Sequence, residues 1–164
     1  MLRKSKYLML AILMLILLSA CSTNETVEEE TPILSSTFSL PVTFQDDNEG
    51  EYVLLGEKGK LAFQIHSSER DEIIELSPIY AEQPDKYMWY LWGEGLSNKS
   101  FKVIGTNTET GEELLIVKET VLGNELNGAD AHTPSSMMFP ISGVWKLDAY
   151  VDEELFGNIM VEVK

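Results

Sequence analysis

The residues best suited to chemistry lie close together in the stretch GADAHTPSSM. It contains a carboxylate at Asp130, an imidazole at His132 and hydroxyls at Ser135 and Ser136. An acid, a base and a hydroxyl nucleophile are the components of hydrolytic catalysis. Working triads are assembled from separate segments, however, and Asp and Ser in a proline-bounded connection usually hydrogen-bond the backbone. We interpret the stretch as a structural or binding loop. A hydrolase or metal-binding protein that uses Asp130 and His132 is the alternative.

Motifs for other chemistries are missing from the sequence. Only two histidines occur, His66 and His132, and neither G-x-S-x-G, H-E-x-x-H nor a phosphate-binding G-x-x-x-x-G-K stretch is present. The acidic run DDNEG at Asp46 to Gly50 misses the register of a calcium loop and is typical of a hairpin turn. We therefore expect no catalytic residue, no metal site and no cofactor.

The most distinctive segment is the aromatic run YMWYLW, from Tyr87 to Trp92. Aromatic rings on an exposed sheet face can stack on sugars, so Trp89, Tyr90 and Trp92 are candidate binding residues, with cell-wall glycan as one ligand class. The competing interpretation is that alternate residues enter the core, because sandwich domains commonly bury a tryptophan. We favour the core interpretation, and the sequence leaves open which of the two faces of the run is buried.

The elements that must position these residues are strands. Glycine and proline interrupt the apolar stretches at short intervals, which leaves little room for helical periodicity. Only RDEIIEL is compatible with a short helix or turn. Eight stretches rich in β-branched and aromatic residues remain as predicted strands: FSLPVTF, EYVLL, KLAFQIH, KYMWYLW, FKVIGTN, ELLIVKETVL, VWKLDAYV and LFGNIMVEV.

The last two of these stretches alternate with a period of two. Trp145, Leu147, Ala149 and Val151 fall on one face, and Ile159, Val161 and Val163 do the same in the following stretch. This pattern predicts a hairpin that turns near Asp152 and Glu153 and has one buried face. The fold class predicted is all-β, an immunoglobulin-like antiparallel β-sandwich preceded by a signal peptide and a disordered tether.

The N-terminus has the form of a secretory leader. Three basic residues precede an apolar run from Leu8 to Leu18, which is about 16 Å long as a helix and too short to span a bilayer. The run ends in Leu-Ser-Ala-Cys, which resembles the lipobox of bacterial lipoproteins. That resemblance implies that Cys21, the only cysteine, becomes the diacylglyceryl-modified first residue of the mature chain. Two acyl chains anchor a protein stably.

Three regions follow from these patterns: a lipoprotein signal peptide at 1–20, an acidic flexible tether at 21–37 and a β-sandwich domain at 38–164. The tether sequence is polar and has little to bury. The predicted location is the outer, extracytoplasmic face of the cell membrane, with a lipid anchor.

The chain is strongly acidic, with a formal net charge of −15. Three of its 12 basic residues and none of its 27 acidic residues lie in the leader, so the processed chain carries −18. Such a surface repels nucleic acid and other phosphate-rich polymers. Besides the membrane itself, the partners that we expect are an envelope protein or a cell-wall glycan.

The final third of the chain, with the earlier YMWYLWGEGL, resembles a family of uncharacterised lipoproteins from Bacillus and its relatives. The shared elements are a Pro-Ser-Ser-Met element, a Gly-x-Trp-x-Leu strand and a Leu-Phe-Gly hairpin. The residues that carry them are Pro134, Ser135, Ser136, Met137, Pro140, Gly143, Trp145, Leu147, Tyr150, Leu155, Phe156 and Gly157. The resemblance implies an immunoglobulin-like domain and no established activity. We predict a lipid-anchored, non-catalytic binding or accessory module of the bacterial envelope.

Overall fold

The computed structural model describes residues 32–69 and 76–164. Within these ranges the chain forms strands and no helix, and so no helix that could cross a membrane. The strands are β1 (Thr37–Thr43), β2 (Glu49–Glu57), β3 (Leu61–Glu69), β4 (Asp85–Leu91), β5 (Ser100–Asn107), β6 (Glu113–Val121), β7 (Ala131–Met137), β8 (Gly143–Val151) and β9 (Glu154–Val163).

The strands form two antiparallel sheets. One has five strands in the order β1-β2-β3-β4-β7, and the other has four in the order β6-β5-β8-β9. The main hydrophobic core takes side chains from both sheets, among them Trp89 of β4, Phe101 of β5 and Trp145 of β8, all fully buried. The predicted all-β antiparallel sandwich is confirmed.

All eight predicted strands are present, but the sequence interpretation missed β7. The stretch AHTPSSM pairs with β4 along its whole length, from Ala131 opposite Leu91 to Met137 opposite Asp85. The interpretation of GADAHTPSSM as a loop is therefore wrong for residues 131–137, which form β7. The segment RDEIIEL lies outside the described residues except for Leu76.

The predicted C-terminal hairpin is confirmed in its pairing and its buried face. Trp145, Leu147 and Ala149 are fully buried, as is Ile159 opposite them. Asp152 and Glu153 form the turn with φ values of 47° and 69°. Positive φ at both central residues matches the twist of a two-residue hairpin, although these two positions usually carry Asn or Gly.

The free edge of β9 is covered by two other segments of the chain. Ser35 N–H donates to Met160 O at 3.0 Å, and Met160 N–H donates to Ser35 Oγ at 2.9 Å. Further along, Ala81 N–H donates to Lys164 O, and Lys164 N–H donates to Ile79 O, both at 2.8 Å. Covered edges do not recruit strands from other molecules.

The compact unit that contains the two sheets comprises Pro32–Lys164. The two hydrogen bonds between Ser35 and Met160, one donated by each residue, fix the segment before β1 to the four-stranded sheet. The predicted signal peptide, most of the predicted tether and the candidate lipidation residue Cys21 lie outside the described residues.

Candidate functional site

The aromatic strand β4 sends one of its faces into the main core. Trp89 is fully buried, with its ring centroid 5.0 Å from Phe63 and 5.4 Å from Phe101. Its indole N–H donates to Ser135 Oγ of β7 at 2.9 Å, so the buried donor has a hydrogen-bond acceptor. Trp89 is thus a core residue, and it corrects the hypothesis that this ring is available to a ligand.

The opposite face of the five-stranded sheet carries a second apolar cluster, which we call the outer-face cluster. Its buried members come from β2, β3, β4 and the β6–β7 connection, and half-buried residues surround them. The buried members are Leu54, Ala62, Tyr90 and Ala129, and the half-buried ones are Phe38, Leu40, Tyr52, Met88, Trp92 and Leu126. Tyr90 is only 1% exposed, so this candidate ring is also covered.

Trp92 is the candidate aromatic residue that keeps an accessible surface. Its ring lies 6.4 Å from Tyr90 in a stacked arrangement with an interplanar angle of 30°, and 6.4 Å from the ring of Phe38. The indole N–H donates to Gly128 O at 2.8 Å. These contacts hold the half-buried ring in one orientation at the rim of the outer-face cluster.

The β6–β7 connection folds over part of the outer-face cluster as a small hairpin. Leu126 and Ala129 exchange two backbone hydrogen bonds, of 3.0 and 2.9 Å. Asn127 and Gly128 occupy the turn with φ values of 51° and 82°, the combination for which Asn-Gly is the favoured sequence. Burial raises the pKa of the Tyr90 hydroxyl, while a hydrogen bond with the Asn127 side chain opposes that shift.

Asp130 and His132 are each held by a backbone atom. Gly93 N–H donates to Asp130 Oδ2 at 2.7 Å, and His132 donates through Nδ1 to Asn124 O at 2.7 Å. Neither residue lines the two surface cavities of about 510 and 470 Å³ found in the described part of the chain. Among residues 32–69 and 76–164, no three His, Cys, Asp or Glu side chains lie together as a metal site. The geometry gives both residues a role in fixing the β6–β7 connection.

A cleft of about 510 Å³ opens between β3 and β4, where sequence analysis predicted nothing. The two strands pair only from Leu61 opposite Leu91 to Phe63 opposite Trp89. Beyond that point they separate, and the cleft is lined by Gln64, Ile65, His66, Ser67, Asp85, Lys86, Tyr87, Met88 and Pro134.

A β-bulge accounts for this separation. The register of β3 on β2 shifts between Gln64, which pairs with Leu54, and His66, which pairs with Val53, so that Ile65 is the extra residue. Bulges bend and twist the strand that carries them and can end its pairing with a neighbour. Here pairing with β4 ends at Phe63, two residues before the extra residue Ile65.

The cleft combines polar walls with an apolar floor. Tyr87 is buried at its base, with its ring 5.3 Å from Phe63 in an edge-on contact. Burial, with a smaller contribution from the charge of Asp85, raises the pKa of the Tyr87 hydroxyl to about 12. The phenol therefore stays neutral at physiological pH.

Comparison with known proteins places the chain in a family. The family described as a domain of unknown function, DUF4871, matches residues 29–161. The chain belongs to this family. No curated protein matches it. A crystal structure of a candidate lipoprotein from Bacillus anthracis has a similar fold, with a TM-score of 0.54 and 19% sequence identity. The similarity covers 80% of this chain and 86% of that one.

The predicted resemblance to an uncharacterised Bacillus-type lipoprotein family is confirmed by these comparisons. In this DUF4871 chain the elements that suggested it are structural. The Pro-Ser-Ser-Met element forms the second half of β7, and the Gly-x-Trp-x-Leu element begins β8 with Trp145 in the core.

Sequence reasoning missed most of the outer-face cluster, although a signal for it was present. In YVLL of β2 and YMWYLW of β4, apolar residues occupy both alternating sets of positions. A strand that is apolar on both faces is covered on both faces. The same reasoning could have assigned Tyr52 and Leu54 to a second cluster.

Proposed function

We propose that this protein is a lipid-anchored binding module on the outer face of the bacterial cell membrane and that it has no catalytic role. The leader and Leu-Ser-Ala-Cys pattern support a diacylglyceryl anchor on Cys21. The structural similarity to a candidate lipoprotein of Bacillus anthracis is compatible with this location. The partner is another envelope protein or a wall glycan.

The observation that carries the proposal is the outer-face cluster. The solvent side of an antiparallel sheet is normally polar. Here the cluster on that side has ten apolar residues, two of them from the β6–β7 connection. Six of the ten remain partly exposed, and Trp92 is oriented at the rim by its hydrogen bond to Gly128 O. Contiguous apolar patches of this kind mark surfaces that contact a partner.

The local contacts of Asp130 and His132 support binding over catalysis. A general base has to present a free lone pair to its substrate, and a nucleophile has to lie within hydrogen-bond reach of that base. The candidate nucleophile Ser135 accepts from the indole N–H of buried Trp89, and Asp130 and His132 are held by the backbone N–H of Gly93 and the backbone carbonyl of Asn124. The Ser135 hydroxyl is thus bonded within the sheet to a core residue.

Replacement of the anchor residue tests the location. We expect Cys21→Ala to remove the thiol that is acylated and to release the protein from the membrane fraction, because the apolar leader run alone does not span the bilayer. Fractionation of cells with immunoblotting measures the distribution, and mass spectrometry of the wild-type N-terminus measures the lipid. Retention of Cys21→Ala in washed membranes would contradict the anchor.

Replacement of Trp92 tests the binding surface. Full-length protein in dodecyl maltoside micelles is used to capture components of a solubilised envelope extract, which are quantified by mass spectrometry. Loss of a central aromatic contact typically costs a complex 2 kcal/mol or more, so we expect Trp92→Ala to reduce specific capture by about ten-fold or more.

The matched control is Tyr150→Ala. Tyr150 is also a half-buried aromatic residue, but it lies on the outer face of the four-stranded sheet, near Lys102. We expect this variant to capture the same components as the wild type. Equal capture by all three proteins would exclude the outer-face cluster as the binding surface. Absence of any specific capture would overturn the binding function.

A further inference from the structure

Most exposed strand edges of this sandwich are blocked against pairing with another chain. The edge strands β1 and β7 contain Pro41 and Pro134, which cannot donate a hydrogen bond. β6 carries Lys118 and two register shifts against β5, and β9 is covered by the segments at Ser35 and Ala81. The groove of about 470 Å³ between β6 and β7 is thus bounded by two protected edges.

The β3–β4 cleft is different because, in the described part of the chain, part of the β4 backbone there is not fully paired although β4 lies inside a sheet. Trp92 N–H donates to Lys60 O at 2.9 Å, which fixes the alternation of the antiparallel ladder. With this alternation, the backbone N–H and C=O groups that point toward β3 are those of Lys86, Met88 and Tyr90. The ladder ends at Phe63 opposite Trp89, so the backbone of Met88 and Lys86 faces the cleft without a full pairing partner in the described part of β3.

Within the described residues, the Lys86 N–H is bonded by the side chain of its neighbour in the sequence. Lys86 N–H donates to Oδ1 of Asp85 at 2.7 Å, in a contact between adjacent residues. A side-chain acceptor of this kind replaces the carbonyl that a neighbouring strand would supply. An incoming strand could take over the N–H and release the Asp85 carboxylate to bind a cation.

The cleft is continuous with the outer-face cluster. Met88 belongs to both, and Gln64 lines the cleft while its Oε1 accepts from the Tyr90 hydroxyl at 3.4 Å. A chain that enters the cleft in an extended conformation would place alternate side chains toward Met88 and the apolar cluster. Its volume of about 510 Å³ is within the usual range for ligand sites, about 300–1,000 Å³.

We propose that the β3–β4 cleft binds an extended, positively charged peptide segment of an envelope protein by strand pairing with β4. The strand supplies the backbone hydrogen bonds, and apolar side chains at alternate positions of the peptide contact the outer-face cluster. The net charge of −15, or −18 after processing, favours a basic peptide over an acidic one. This inference rests on the proposed binding function and specifies the chemistry of the partner.

Two synthetic peptides test the proposal. The first is a ten-residue peptide of alternating lysine and valine with an N-terminal fluorescein, and the second has the same sequence with every second backbone nitrogen methylated. Full-length protein in dodecyl maltoside micelles is titrated into each, and fluorescence anisotropy measures binding. Because both peptides have the same charge, only strand pairing distinguishes them. We expect methylation to weaken binding by about ten-fold or more, since several hydrogen bonds of about 1 kcal/mol each are lost.

A pair of protein variants locates the site. Met88→Pro removes the backbone N–H that faces the cleft. The backbone hydrogen bonds between β4 and β7 stay in place, because Trp89 makes them and Met88 does not. Met88→Leu keeps the N–H and is the control. We expect only the proline variant to lose discrimination between the peptides. Circular dichroism establishes whether each variant folds. If the proline variant does not fold, the comparison of the two peptides on the wild-type protein still tests the proposal.

Equal binding of both peptides would show attraction by charge alone and would overturn strand pairing. Failure of both to bind would overturn the basic-peptide site. In either case, capture of envelope components that depends on Trp92 would leave the proposed binding function standing. A different result is also informative: no Trp92-dependent capture, but binding of the first peptide that methylation weakens. That result would exclude the outer-face cluster as the surface for envelope components and would support the cleft as a peptide site.

Discussion

Trp89→Ala is expected to destabilise the protein by about 3–5 kcal/mol. The side chain is fully buried between Phe63 and Phe101, and its replacement leaves a large cavity whose walls cannot close completely. The change also leaves Ser135 Oγ without its donor. The free energy of unfolding, measured by urea titration of the full chain in dodecyl maltoside micelles, gives the effect directly.

Trp92→Ala is the matched variant for this experiment, three residues along the same run. Its indole is half-buried and makes one hydrogen bond, to Gly128 O, so we expect a loss of about 1–2 kcal/mol. The difference between the two variants separates a core tryptophan from a surface one. Equal losses would contradict the assignment of Trp92 to an accessible rim, and a small loss for Trp89→Ala would contradict its place in the core.

The strands with one buried face were predictable from the sequence. In β8 and β9 the alternation of apolar and polar residues is compatible with only one choice of buried face, because a shift by one residue would expose Trp145, Leu147 and Ile159 together. The turn at Asp152 and Glu153 followed from the same pattern. The local sequence and the long-range packing favour one register there.

β7 could not be found in the same way. Its residues AHTPSSM include proline and three hydroxyl side chains, which are typical of a connection. Pro134 is tolerated because β7 is an edge strand and Pro134, opposite Met88, belongs to a pair that does not exchange backbone hydrogen bonds. Only tertiary pairing with β4 makes this stretch a strand.

The cleft depends on a feature that sequence patterns do not encode directly. A one-residue shift at Ile65 arises from how β3 aligns with β2, and no local preference in KLAFQIH marks it. The candidate site was therefore predictable only in part. The aromatic run was identified as important, and Trp92 was among the residues named for it, but the surface around Trp92 required residues from three other strands.

The outer-face cluster and the cleft have a common origin in the β2–β3 hairpin. Leu54 and Ala62 of this hairpin are buried members of the cluster, and the bulge that opens the cleft lies on β3. Asp85 and Lys86 line the cleft but come from the other side, on β4. The geometry of one hairpin thus sets both surfaces to which we assign binding.

Gly56→Ala is expected to disturb the β2–β3 hairpin far more than Gly59→Ala in the same hairpin. Gly56 has a φ of 145°, and a Cβ there would lie 2.3 Å from Leu61 O and 2.8 Å from the Cα of Ala62. Both contacts are backbone atoms of the paired strand, so relief requires β2 and β3 to move apart. We expect a loss of about 3 kcal/mol or more, since steric overlap adds to backbone strain of about 1–3 kcal/mol.

Gly59→Ala provides the control, three residues further in the same turn. Its φ is also positive, at 77°, but a Cβ there meets no atom within 4 Å. Only the conformational strain remains, about 1 kcal/mol. Urea titrations of both variants and of the wild type measure the difference. Because the displaced strands carry Leu54 and Ala62, we also expect Gly56→Ala, at urea concentrations where it remains folded, to weaken Trp92-dependent capture while Gly59→Ala does not. Equal stability of the two variants would contradict the close approach of β2 and β3 at Gly56, and with it the hairpin geometry that positions the cluster.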